Sequence, residues 1–179
     1  MNITNIDDIR KLASGDEGGR TEYKLITGQL ERGMETLCAF LNGEGGTVLF
    51  GVADNGKITG QEVSDKTKRE IAEAIRLFEP FATITVSYAN IPDTDKQVIA
   101  LYAEEQRYMR PFTYKGRAYQ RIESVTSVMP QDKYNHLLMQ RGGKYSWEAI
   151  PNPDLQISDL DENVIIGAVR AGINCGRLP

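Results

Sequence analysis

Residues 39–60, AFLNGEGGTVLFGVADNGKITG, leave the backbone fewer choices than any other part of the chain. An apolar helix end runs into Asn42-Gly43-Glu44-Gly45-Gly46, where glycine makes continued helix costly. Thr47-Val48-Leu49-Phe50-Gly51-Val52 follows, too continuously apolar for a half-exposed strand, so it is expected at the centre of a sheet covered on both faces. Asp54-Asn55-Gly56-Lys57 then has the composition of a tight reversal toward Ile58. Upstream, Leu30, Met34, Leu37, Cys38 and Leu41 recur at helical spacing, which predicts an amphipathic helix packed on that sheet.

The remaining elements follow from the same patterns. Residues 1–16 read as a short N-terminal helix, from Asp7 to Ala13, closed by Ser14-Gly15. Residues 22–26 read as a strand entering the domain. Ile71, Ala74, Ile75 and Phe78 mark a second amphipathic helix stopped by Pro80. Ile84, Val86 and Tyr88 alternate with polar residues, and residues 98–102 follow after an Ile91-Pro92-Asp93 turn, predicting two paired strands. Residues 112–114 and 118–122, joined by Lys115-Gly116-Arg117, read as a final hairpin. Tyr134, Leu137, Leu138 and Arg141 suggest a third helix ahead of Gly142-Gly143. The expected fold class is α+β, a mixed, mostly antiparallel sheet packed with amphipathic helices. Beyond Trp147 the texture changes. Ile150-Pro151-Asn152-Pro153 reads as a linker, and Ser158-Asp159-Leu160-Asp161 as the capped start of a C-terminal helix. The expected division is residues 1–145 and 146–179, the second part leading toward further C-terminal domains.

With Glu22-Tyr23-Lys24 upstream, the 39–60 run resembles the Schlafen-type AlbA-like domain, whose pattern is Glu-Phe-Lys, then Ala-Phe-Ala-Asn-x-x-Gly-Gly, then a hydrophobic strand ending Gly-Val-x-Asp. The resemblance covers residues 17–126. It implies an AlbA-like core lobe and a nucleic-acid-binding domain of a transcriptional regulator, with DNA or RNA as partner. Some Schlafen proteins are metal-dependent ribonucleases, and their three carboxylates correspond here to Glu17, Glu22 and Asp54. In that alternative these residues bind Mg²⁺ or Mn²⁺ as catalytic ligands, with Lys24 stabilising phosphate charge. Gly18 replaces the serine of the family motif. Arg121-Ile122-Glu123-Ser124-Val125-Thr126 resembles the family's closing Arg-x-Gly-Ser-x-Thr segment, with Glu123 in place of glycine.

The residues offer their own route to the nucleic-acid reading. The net charge is −4 at pH 7, which argues against a wholly basic coating protein. That charge is uneven, however: between Gln106 and Ile122 lie Arg107, Arg110, Lys115, Arg117 and Arg121 with no acid. Interleaved Tyr108, Phe112, Tyr114 and Tyr119 add aromatic faces, so this segment is the expected binding surface, its cations contacting phosphates and Tyr114 and Tyr119 offering stacking platforms. Lys68, Arg69 and Arg76 alternate with Glu70, Glu73 and Glu79 as a solvated helix face.

Other chemistries find little support. With one histidine, His136, and two cysteines in no spacing motif, zinc sites and histidine-based nucleophilic catalysis are disfavoured. Cys38 falls on the apolar helix face as a small buried hydrophobe. The glycines at 43–46 and 51 follow a helix and open a strand, the reverse of a phosphate loop, so a structural turn is expected there. No apolar run reaches the roughly 20 residues that span a bilayer. The N-terminus lacks the basic start and apolar block of a secretion signal, leaving a cytoplasmic location as the expectation. A protein-interaction or homodimerisation module is the third functional alternative.

Overall fold

The computed structural model describes residues 5–15, 18–142, 159 and 161–177. At its centre lies β2 (Gly46–Phe50), every residue of which is buried. It pairs in parallel with β1 (Thr21–Lys24) and antiparallel with β5 (Gln97–Ala103), which pairs antiparallel with β4 (Ile84–Asn90). The four-stranded order is therefore β1-β2-β5-β4. The parallel pair needs a crossover, supplied by α2 (Leu30–Leu41). The expected mixed, mostly antiparallel α+β sheet is present.

The alternation of side chains sorts this sheet into two cores. Val48, Phe50, Ile99 and Leu101 face α2, meeting Met34, Leu37, Phe40 and Leu41, with Ile71 of α3 (Asp65–Ile75) completing the cluster. Leu49, Val98, Ala100 and Tyr23 face the other way, toward Ile9 and Ala13 of α1 (Ile6–Ala13). Covered faces on both sides explain why β2 carries no polar alternation. Each fully buried Leu, Ile or Phe here is worth roughly 1.5–3 kcal/mol. Gly33 lets α2 approach the sheet, since an ideal Cβ there would lie 2.5 Å from the Phe50 ring.

Helix ends follow local chemistry. Asn5 caps α1, accepting from the Asp7 and Asp8 N–H groups at 2.9 and 3.0 Å, and Asp8 returns a bond to the Asn5 N–H. Ser64 caps α3, accepting from the Thr67 N–H at 3.2 Å. Past α2, Gly45 adopts φ 77°, and a Cβ there would lie 2.6 Å from the Ala103 carbonyl, so glycine is required on both counts. The reversal after β2 forms as expected: the Ala53 N–H donates to Lys57 at 3.0 Å, and Val52 bridges to Ile58.

Two elements differ from expectation. Phe78 does not extend α3 but enters a short strand, β3 (Phe78–Glu79), which pairs with β6 (Thr113–Tyr114). The segment 112–122 is consequently not one hairpin. Tyr114-Lys115-Gly116-Arg117 does make a tight turn, with Lys115 at φ 50° and Gly116 at φ 74°. Its two arms then diverge, one to β3 and the other to the hairpin of β7 (Tyr119–Ile122) with β8 (Val125–Val128). The third helix forms as α4 (Gln131–Gly142).

The chain divides into two compact units, residues 1–144 and 145–179. In the second unit, α5 (Glu162–Asn174) starts at Asp161, whose side chain accepts from the Asn163 and Val164 N–H groups at 2.9 and 3.3 Å. The linker residues 150–153, together with Ser158 and Leu160, lie outside the described residues. Among the described residues no helix is long and apolar enough to cross a membrane.

Candidate nucleic-acid interface

The C-terminal end of α2 leaves carbonyls without intrahelical partners. Arg110 reaches them, its Nη1 donating to the carbonyls of Asn42 and Gly43 at 3.0 and 3.1 Å while Nη2 lies 3.8 Å from Glu105. A cation at this helix end also opposes the macrodipole. Burial pulls the Arg110 pKa below its ordinary value. The buried Asn42 side chain extends the junction. Its Nδ2 donates to the carbonyls of Phe112 and Tyr119 at 2.9 Å each, and its Oδ1 accepts from the Phe112 N–H at 2.7 Å. Asn42, directly after α2, is thus the clasp between that helix and the chain entering β7.

Arg121 lies deeper still, its side chain 4% exposed. Nε donates to the Gly18 carbonyl and Nη1 to Thr126 Oγ1, both at 3.0 Å, and Nη2 meets Glu22 Oε2 at 2.7 Å. Nη2 also reaches the Thr21 carbonyl at 3.4 Å, and the guanidinium stands 5.2 Å from the Phe40 ring centre. Lys24 Nζ donates to the other Glu22 oxygen. On the outer side of this cluster opens a cleft of about 370 Å³, bounded by Lys24, Arg32, Glu35, Thr36, Arg121 and Thr126. On its other side a second cavity of about 280 Å³ is bounded by Arg20, Asn42, Glu44, Gln120, Arg121 and Lys133. Arg121 is common to both. Cations outnumber carboxylates along this double cleft, Arg20, Lys24, Arg32, Arg121 and Lys133 against Glu22, Glu35 and Glu44.

The basic segment 107–121 is distributed rather than gathered into one face. Arg107 is exposed and bonded to Glu105, which holds that carboxyl below its usual range. Lys115 pairs with Glu31 at 2.6 Å. Arg117 is exposed on the turn, its guanidinium with no hydrogen-bond or ion-pair partner among the described residues. Arg110 and Arg121 are engaged internally, as above. Tyr114 is buried against Phe78, ring centres 5.1 Å apart, with its hydroxyl 3.3 Å from Glu31. Tyr119 is buried with its hydroxyl donating to Glu35 at 2.9 Å. Burial and those carboxylates raise both phenol pKa values, that of Tyr119 to about 12. Both rings lie in the core in this arrangement, and the exposed aromatic of the segment is Tyr108.

Of the three carboxylates, Glu22 and Asp54 are among the described residues. Glu17 lies outside them. Glu22 sits on the α2 face of the sheet, its two oxygens bonded to Lys24 and Arg121. Asp54 is exposed in the turn after β2, whose Gly56 lies against the Ala13 carbonyl at the end of α1. Among the described residues no group of three or more His, Cys, Asp or Glu side chains is placed to hold a metal ion.

Sequence reasoning overlooked Arg20, Arg32, Lys133 and Asn42. Arg32 and Thr36 are four apart on α2, beside its apolar stripe, a spacing that places them on one side of the helix. Nothing local in the sequence indicated Lys133, which reaches back from α4 to Gln120 at 2.9 Å.

A family model described as Schlafen, AlbA_2 matches residues 17–130. Among solved structures, the crystal structure of the DIP2311 protein from Corynebacterium diphtheriae is similar at a TM-score of 0.50 and 12% identity, over 76% of this chain and 28% of that one. That likeness concerns fold alone, and the present chain spans little more than a quarter of that protein's length. No curated protein matches the chain.

Proposed function

The chain belongs to the Schlafen, AlbA_2 family, and we propose from this premise that it binds nucleic acid, laying a phosphate backbone along the double cleft on either side of Arg121. The family is consistent with a nucleic-acid-binding domain, and the observation that supports this location is the excess of cations lining the two cavities. The Arg32 guanidinium is exposed at one mouth without a hydrogen-bond or ion-pair partner among the described residues, and Lys133 is exposed at the other. Cations not already neutralised release the most counterion on meeting phosphate. Arg121, already committed to Glu22 and three protein oxygens, shapes the wall between the cavities rather than grasping ligand. Exposed Arg117 and Lys115 extend the basic surface along the turn before β7. Contacts of this kind fix position on a backbone and carry little sequence information. The domain would therefore serve a transcriptional regulator as an anchoring module.

The test is fluorescence anisotropy with labelled duplex DNA and folded RNA over about 50–200 mM salt, a range in which phosphate contacts weaken steeply. Binding that falls with salt and is weakened by Arg32→Ala and Lys133→Ala supports the reading. Absence of binding to either probe at low salt overturns it. Inclusion of Mn²⁺ beside an EDTA control distinguishes the nuclease alternative, in which the probe is cut and Asp54→Ala stops the cutting.

A further inference from the structure

The two edges of the central sheet are treated differently. The β1 edge is short, carries Glu22 and Lys24, and is covered in part by the Arg121 guanidinium bonded to the Thr21 and Gly18 carbonyls. These are ordinary ways of blocking an edge against further pairing. The β4 edge has none of them. Its seven residues, Ile-Thr-Val-Ser-Tyr-Ala-Asn, include no charge and no proline, and its ladder to β5 runs without a bulge from Ile84 to Asn90.

The direction of its free backbone groups follows from the ladder. Beyond Asn90 the Ile91 N–H donates to the Lys96 carbonyl at 3.0 Å, in register with the strand pair, whereas Gln97, opposite Asn90, exchanges its bonds with Gln61 at 2.9 Å. Antiparallel bonding alternates. Thr85, Ser87 and Ala89 therefore bond to β5, and Ile84, Val86, Tyr88 and Asn90 direct their N–H and C=O groups outward. The same Ile84, Val86 and Tyr88 place their side chains on the α3 face, half-buried.

We propose that β4 is a homodimer interface, pairing antiparallel with β4 of a second copy about a two-fold axis through Val86. In that register Val86 opposes the partner's Val86, and Ile84 opposes the partner's Tyr88. All three are hydrogen-bonded pairs made by outward-facing groups, with apolar side chains meeting on one face and Thr85 meeting the partner's Ser87 on the other. A two-fold interface must be self-complementary in this way, and this strand satisfies that condition through both its backbone and its side chains.

The neighbouring surface suits the same occupant. Between α3 and β4 runs a groove of about 440 Å³, lined by Lys68, Arg69, Ile71, Glu73, Arg76 and Tyr88 among others. Its helix wall alternates in sign, and two antiparallel copies can set Arg69 of one against the partner's Glu73. A strongly acidic ligand would meet Glu73 unpaired. Phe81, 79% exposed, stands three residues before the strand. The interface is independent of the nucleic-acid reading, since none of its residues borders the double cleft.

The experiment is sedimentation equilibrium of the whole chain over a range of concentrations, beside Val86→Pro and Thr85→Lys. Proline at 86 removes an outward donor and leaves the β5 bonds intact, as edge strands tolerate. Lysine at exposed Thr85 adds a charge with no packing role in the fold. The expected result is a concentration-dependent wild-type dimer whose dissociation constant rises at least tenfold in each variant, with circular dichroism and melting unchanged for Thr85→Lys. Val86→Cys in a Cys175→Ser background should give a disulfide-linked dimer on mild oxidation. A wild type that stays monomeric throughout, or a dimer that both variants leave intact, overturns the proposal. Capture of an extended peptide from another protein on β4, with no dimer, also overturns it.

Discussion

The Arg121 guanidinium donates to the Glu22 carboxylate at 2.7 Å, joining the hairpin of β7 and β8 to the edge of the central sheet. Both side chains are nearly excluded from water, at 4% and 12% exposure, so neither charge is well solvated without the other. Arg121→Ala is expected to destabilise the domain by roughly 3 kcal/mol, the lower end of the cost of breaking a buried pair, because Glu22 keeps Lys24 as a partner. Urea unfolding measures it. A loss below about 1 kcal/mol would mean that the pair behaves as a surface salt bridge.

Asn42→Ala removes three bonds to the backbone at once and leaves the Phe112 N–H and the Tyr119 carbonyl buried without partners, while the Phe112 carbonyl keeps the Cys38 thiol at 3.4 Å. At roughly 1–3 kcal/mol for each unsatisfied group, a loss of at least about 2 kcal/mol is expected. Asn42→Asp keeps the acceptor for Phe112 and should not rescue the fold, because two donors are lost and a charge is buried.

Glu123 adopts φ 54° in the turn between β7 and β8. The family segment it resembles has glycine there, and the left-handed backbone is a physical reason for that glycine. Glu123→Gly is expected to raise stability by about 1 kcal/mol through relief of that strain. It also removes a carboxylate next to Ser124 at the cleft. Nucleic-acid affinity should rise with stability, and a thermal melt with a parallel anisotropy titration tests both.

Burial raises the Cys38 thiol from 9.0 to about 12, and Tyr119 is held up by burial and Glu35. A folded state that keeps these protons longer than the unfolded chain loses stability as pH rises, beginning near pH 9 where the unfolded thiol ionises. Cys38 alone should contribute a slope of about 0.7 kcal/mol per pH unit near pH 9, approaching about 1.4 between about pH 10 and 11, with little contribution below about pH 8. Denaturation curves at neutral and alkaline pH give the slope. The same burial predicts one fast thiol, Cys175, in the native chain and a second only on unfolding.

Arg117→Ala and Arg110→Ala should separate binding from folding. Replacing Arg117, exposed on its turn, is expected to lower affinity about three- to tenfold and to make the salt slope shallower by about 0.9, the value for one phosphate neutralised, with melting unchanged. Arg110→Ala should lower the melting temperature, since it caps α2 from inside. Equal melting for the two would remove the distinction.

The helix and strand around 39–52 were legible because glycine, apolar continuity and helical spacing all act within a few residues. The pairing of Thr113–Tyr114 with Phe78–Glu79 was not, because its partner lies over thirty residues upstream and two-residue strands leave no periodicity to read. The turn at 114–117 was recognisable, but local turn chemistry does not say where its arms go. The same limit affected the cations. Arg110 and Arg121 look identical in sequence to exposed Arg117, since their partners are largely backbone carbonyls that any sequence supplies. Of the proposed binding surface, the basic character could be read, whereas the double cleft on either side of Arg121 depends on the crossover that brings β1, α2 and β7 together.

The clasp at Asn42 also sets an order of events during synthesis. Its partners at 112 and 119, and Arg121 behind them, are not yet made when the glycine turn leaves the ribosome. At about 5–20 residues per second, the interval from residue 42 to residue 121 is roughly 4–16 seconds. For that time the end of α2 has neither its arginine nor its carboxamide partners, and both walls of the double cleft are incomplete. The nascent chain thus acquires its cleft only once residues 112–133 have been added.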